Sequence, residues 1–123
     1  MSQWGALMAE RILRRGAPAA MRQEVARLLG ANQRSCYRQG LVASFAGDYR
    51  WLLPLIDVPT LILVGEEDQA TPYGYARYLH QQIHGSGLQV ISQAAHFSHL
   101  ENPGEFNWRV AAHLKSCGSQ TKV

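Results

Sequence analysis

Cysteine is scarce in this chain: only Cys36 and Cys117 occur. They stand far apart without metal-type spacing, so two free thiols are expected in place of a bridge or a metal site. Long apolar runs are missing as well, and none approaches the roughly 20 residues that a membrane span needs. Met1 to Gly16 holds Glu10 and closes on several arginines, the reverse of a signal peptide's charged start and apolar middle. No membrane partner is expected, and a cytoplasmic location is the default. There is no internal repeat and no low-complexity segment. What is present is ordinary: 46% hydrophobic and 17% charged residues over 123 positions, enough for one packed core and too apolar for a disordered chain.

The net charge of +3 conceals an asymmetry. Eight arginines against Glu10, Glu24 and Asp48 leave residues 1–50 at +5, whereas four basic and six acidic residues leave the remainder at −2. A basic half suits a nucleic-acid partner only when its charges cluster or interleave with aromatics. Here the arginines are spread through helical patterns, which reads as a solvated helix face. No nucleic-acid partner is expected.

Residues 1–50 carry three helical patterns in succession. Trp4, Leu7, Met8 and Ile12 share one face, and Gly16 stops that segment. Pro18 opens a second helix with Met21, Val25, Leu28 and Leu29 inward and Gly30 at its end. Asn32 is placed to cap a third, with Tyr37, Leu41 and Phe45 inward. The pattern then changes at Gly47-Asp48. Trp51 to Leu55, around Pro54, predicts a turn or short helix leading into an apolar run, Thr60 to Val64, bounded by Pro59 and Gly65. A run without alternation suits a strand buried on both faces of a parallel sheet. Thr71-Pro72 then predicts a helix start with the threonine hydroxyl as cap, and Tyr75, Leu79 and Ile83 recur along one face. Gly85 and Gly87 end that helix before a second strand, Leu88 to Ser92. Asn102-Pro103 opens the last helix, with Glu105 completing a capping-box pattern and Phe106, Val110 and Leu114 inward. Ser116 to Val123 reads as a polar, frayed tail.

Strand, helix, strand is a crossover unit that joins parallel neighbours. Asp68 lies four residues past Val64, and His96 lies four past Ser92. Parallel strands bring both loops to the same sheet edge, where open α/β sheets place their chemistry. A carboxylate there can hold an imidazole in one tautomer, and the imidazole can then act as general base.

With these residues in view, the chain resembles the α/β-hydrolase family. VPTLILVGEEDQATP is similar to the family's acid segment, and AAHFSHLENPGEFN to its histidine loop. The resemblance implies that Asp68 is the triad acid, that His96 is the base, and that Phe97 lies on the substrate side of a complete hydrolase; in the chain alone Phe97 reads as core. It implies an ester- or lactone-type hydrolase that needs no cofactor, acting on a small-molecule substrate. The fold class is α/β: the C-terminal part of an α/β-hydrolase fold, two parallel strands with flanking helices. By the resemblance, residues 1–50 are expected to form a helical lid-like segment and residues 51–123 the C-terminal core segment.

One element of the family pattern is not here. Its nucleophile sits in Gly-x-Ser-x-Gly on a sharp strand-to-helix turn, and no such string occurs. The expectation is therefore a truncated remnant of the triad, inactive alone, or a non-catalytic binding module derived from the fold. An uncovered edge of the strand pair also predicts self-association. Ser98 is a poor substitute nucleophile, since no strained elbow presents it. Glu66 and Glu67 read as solvated loop carboxylates. His80 and His84 stand at i and i+4, but HQQIH lacks the glutamate of HExxH, and no metal is expected.

Overall fold

The computed structural model describes residues 3–119. Three helices come first: α1 (Gln3–Ile12), α2 (Ala19–Gly30) and α3 (Arg34–Phe45). A 3-10 segment over Arg50–Leu55 leads into β1 (Leu61–Gly65), α4 (Tyr73–Gln82) and β2 (Gly87–Ile91). The one-turn α5 (Ser98–Glu101) and the long α6 (Pro103–Ser119) complete the order. Of the expected polar tail, Ser116 to Ser119 continue α6, and residues 120–123 lie outside the described residues.

Helices α1 and α2 approach closely because Gly5 has no side chain. A Cβ there would overlap the carbonyl oxygen of Ala26 and lie 3.1 Å from the Gly30 nitrogen. Small residues consequently dominate the buried cluster of this hairpin: Ala9, Ala17 and Ala26 with Ile12, Leu13 and Val25. This corrects the face read from periodicity. Ile12 and Val25 are buried and Met21 and Leu29 pack against the cluster as expected, but Leu7 and Leu28 are exposed, since they lie to the side of the contact. In α3 the expected inward stripe is likewise uncovered: Leu41 is exposed and Phe45 is 85% exposed. Only Tyr37 of that stripe is half-buried, its ring meeting Trp4 edge-on at 4.9 Å. Asn32 does not cap α3; its side chain turns back to the Leu28 carbonyl, and Gln33 precedes the helix.

Strands β1 and β2 pair in parallel, with Leu61 beside Gly87 and Gly65 beside Ile91. Burial on both faces holds only at their carboxyl ends, where Val64, Gly65 and Ile91 are buried. The remaining strand residues are half-buried or exposed among the described residues, so the apolar run outlasts its cover. Ala76 of α4 and Ile83 just after the helix are buried, whereas Tyr75 is 66% exposed. Among the described residues the helix packs against a sheet of two strands, which covers little of its surface. In α6, Phe106 and Val110 are half-buried and Leu114 is exposed. The carboxyl edge of the sheet is thus the best-packed part of this region.

Candidate active site

At that edge the two loops continue the pairing of the strands. The Glu66 N–H donates to the Ile91 carbonyl at 2.9 Å, and the Glu67 N–H to the Ala94 carbonyl at 2.9 Å. The Ala94–Ala95 backbone passes over Gly65 so closely that a Cβ would overlap both carbonyl oxygens. Glycine is therefore required there by space. Gln93 takes a left-handed backbone, φ 50°, and its N–H donates to Glu66 Oε2 at 3.2 Å. The chain then turns upward into Ala95 and His96.

Asp68 is the centre of the first loop. Its Oδ1 accepts the N–H groups of Ala70 and Thr71, both at 2.9 Å. Its Oδ2 accepts the Thr71 hydroxyl at 2.9 Å and faces His96 Nδ1 at 3.1 Å. The side chain is only 5% exposed. Burial alone would favour the neutral acid. The Thr71 N–H, the His96 ring and the Thr71 hydroxyl outweigh it, and the carboxyl is held below its ordinary range. An ionised Asp68 at neutral pH can only accept, so His96 Nδ1 must carry the proton. The Thr71 oxygen lies 3.2 Å from the same ring nitrogen, and with its own proton given to Asp68 it can share the Nδ1–H.

The ring of His96 is 37% exposed, and among the described residues Nε2 has no hydrogen-bond partner. A histidine held at Nδ1 by a buried carboxylate, with Nε2 open, is the arrangement of a general base. Phe97 packs against the α1–α2 cluster, with its ring centroid 5.8 Å from that of His96.

Other singled-out residues have structural partners. His99 lies between the rings of Phe97 and Phe106, at 5.9 and 5.8 Å. His80 Nδ1 meets the buried Ser86 hydroxyl at 2.9 Å, and His84 is exposed. Ser98 is buried at the start of α5. Glu67 is not merely solvated: its Oε2 accepts the Arg15 N–H at 3.2 Å. Among the described residues, no three His, Cys, Asp or Glu side chains are placed to hold a metal ion.

Two site residues escaped the sequence reading. Thr71 was expected to cap α4, yet its hydroxyl is spent on Asp68 and no side chain caps that helix. The signal was the Asp-x-x-Thr spacing, which lets one carboxylate reach the amides two and three residues on. Glu101 was read only as part of a motif. Its two oxygens accept the Arg14 N–H at 2.6 Å and the Ala95 N–H at 2.8 Å. Nearby, Glu105 accepts the Ser92 N–H and hydroxyl and pairs with Arg109, contacts that lower its carboxyl's affinity for protons. It ties the start of α6 to the end of β2.

An open cleft of about 710 Å³ reaches Thr71 from the α3 and α4 side, lined also by Phe45, Tyr49, Arg50, Tyr75 and Tyr78 among others. A smaller groove of about 250 Å³ runs between Met8, Arg11 and Ile12 of the hairpin and Gln69 and Ala70. Thr71 faces the first, and the residues beside Asp68 face the second.

Comparison with known proteins identifies a fold family. A family model described as alpha/beta hydrolase fold matches residues 21–103, which include Asp68 and His96. A pimeloyl-[acyl-carrier protein] methyl ester esterase of Neisseria meningitidis is 39% identical over 72 residues, 58% of this chain and 23% of that protein. Serine hydrolase BPHL of Mus musculus is 43% identical over 58 residues, 47% of this chain and 20% of that protein. Among solved structures, an esterase from Exiguobacterium antarcticum superposes with a TM-score of 0.81 at 27% identity, covering 90% of this chain and 41% of that one. The chain thus spans less than half the length of each of these proteins.

Proposed function

The chain belongs to the α/β-hydrolase fold family, and from that premise we propose that Asp68 and His96 are the acid and base of a serine-type hydrolase of esters or lactones. The observation that carries this reading is the 3.1 Å contact of the buried Asp68 Oδ2 with His96 Nδ1. In this chemistry Nε2 takes the proton of an attacking hydroxyl, and the imidazolium that forms is stabilised by the carboxylate. Backbone N–H groups stabilise the oxyanion, so no cofactor is involved. The esters named for the Neisseria relative and the esterase name of the structural neighbour support the substrate class.

No serine of the chain stands in Gly-x-Ser-x-Gly. In this reading the nucleophile is supplied from outside these residues, and the chain by itself does not turn over. The second edge of β1 has no strand partner among the described residues, and Trp51, Leu55 and Val58 just before it are exposed. Self-association through that side is part of the proposal. Among the described residues, no helix is long and apolar enough to cross a membrane.

The test is labelling of the folded chain with a fluorophosphonate, beside hydrolysis of a short-chain p-nitrophenyl ester and a His96→Ala control. Neither labelling nor turnover is expected. Labelling that disappears with His96 would mean that a serine of this chain is the nucleophile, and the completed-from-outside reading would fail.

A second reading, a non-catalytic binding module, draws on the aromatic-lined cleft beside Thr71. There, loss of Asp68 and His96 together would leave ligand capture by the cleft unchanged.

A further inference from the structure

Glu101 joins two segments that are far apart in sequence. One carboxylate oxygen takes the N–H of Arg14, in the turn after α1, and the other takes the N–H of Ala95, the residue before His96. The next amide along, that of His96 itself, donates to the Ile12 carbonyl at 3.0 Å. Both peptide groups flanking the Ala95 α-carbon are thus fastened, one to a carboxylate and one to the end of α1. With the Ala94–Ala95 backbone already pressed on Gly65, the His96 main chain has little freedom left. Only its side-chain torsions remain, and these decide whether Nδ1 meets Asp68.

We propose that Glu101 is the positioning residue of His96: its carboxylate clasps the histidine loop to the α1–α2 turn and thereby sets the ring's approach to Asp68. The inference rests on the reading of Asp68 and His96 as acid and base. Two features make a carboxylate necessary. Both partners are N–H donors, so both side-chain oxygens must accept, and an amide side chain would turn an NH2 group against one of them. Bonds to an ionised acceptor are also roughly twice as strong as neutral ones. The clasp further makes the hairpin a part of the site, because displacing α1 would pull on the amides at both 95 and 96.

The test reads the His96 ring rather than turnover, so it stands apart from whether the chain hydrolyses anything. In the intact chain, 15N shifts of the neutral ring should report the Nδ1–H tautomer as dominant. Glu101→Gln should populate both tautomers and speed hydrogen exchange at the Arg14 and Ala95 amides together by about tenfold or more, as expected for losing a bond to a charged acceptor. Glu66→Gln, which touches the same loop at Gln93, serves as control and should leave the tautomer unchanged. An unaltered tautomer in Glu101→Gln despite faster exchange overturns the proposal, as does an equal shift in the control. Should Glu101→Gln not fold, exchange in the unmodified chain decides: protection of the Ala95 amide supports the clasp, and exchange at an open loop's rate overturns it. Absence of fluorophosphonate labelling would leave all of these results standing.

Discussion

Gly65 lies directly beneath the carbonyl oxygen of Ala95, with no space between them for a side chain. The last residue of β1 thereby sets the height at which the histidine loop crosses the sheet edge. Gly65→Ala forces backbone against backbone, which no rotamer change relieves. A loss of about 3 kcal/mol in unfolding free energy is expected, the upper range for overpacking, measured by urea denaturation. A change below about 0.5 kcal/mol would show that the loop can lift freely.

Asp68 makes the stability of this edge depend on pH. Its carboxyl is held below the ordinary value in the folded chain, whereas the unfolded chain titrates near about 3.9. The unfolded state therefore binds the proton more readily. The contribution is fully present above about pH 5 and is lost as pH falls through the folded value. Below about pH 5 the difference in unfolding free energy between the parent chain and Asp68→Asn should shrink as pH falls. A difference that holds or grows as pH falls below that point would contradict the assignment.

Thr71 donates to the same carboxylate through both its N–H and its hydroxyl. Thr71→Val keeps the shape and removes the hydroxyl, at an expected cost of about 1.5 kcal/mol, the low end for bonds to charged groups. Thr71→Ser should recover most of it. A loss in Thr71→Ser with none in Thr71→Val would point to the methyl group, not the hydroxyl.

The helical hairpin has its own sensitive point at Gly5, against Ala26 and Gly30. Gly5→Leu should separate α1 from α2 and lower the thermal midpoint, with a cost of about 3 kcal/mol. Because Trp4 packs on Tyr37, tryptophan fluorescence should shift at the same time. Leu7→Ala, on an exposed side chain, should change neither.

The placement of Asp68 and His96 was legible because it depends only on strand order and loop length. Two apolar runs bounded by proline and glycine gave the strands, and parallel pairing did the rest. Which helical faces are buried was less legible. Periodicity marks the side chains that gain from burial, but not whether anything covers them. Leu41, Phe45 and Leu114 carry the right spacing and stay exposed. The α1–α2 contact was hidden for the opposite reason, since glycine and alanine give no hydrophobic signal yet allow the closest approach. Glu101 was hidden because its partners are main-chain amides, which every residue except proline possesses.

That last point has an outcome for how the chain tolerates change. Glu66, Glu67 and Glu101 each accept a backbone N–H, from Gln93, from Arg15, and from Arg14 with Ala95 in turn. The information in each contact is therefore one-sided. A saturation library should find the acceptor Glu101 nearly fixed while donor positions 14 and 15 accept most side chains and reject proline. Covariation between the two ends would be absent, although they are in direct contact. Methods that infer proximity from paired substitutions would miss the joints that hold this edge together.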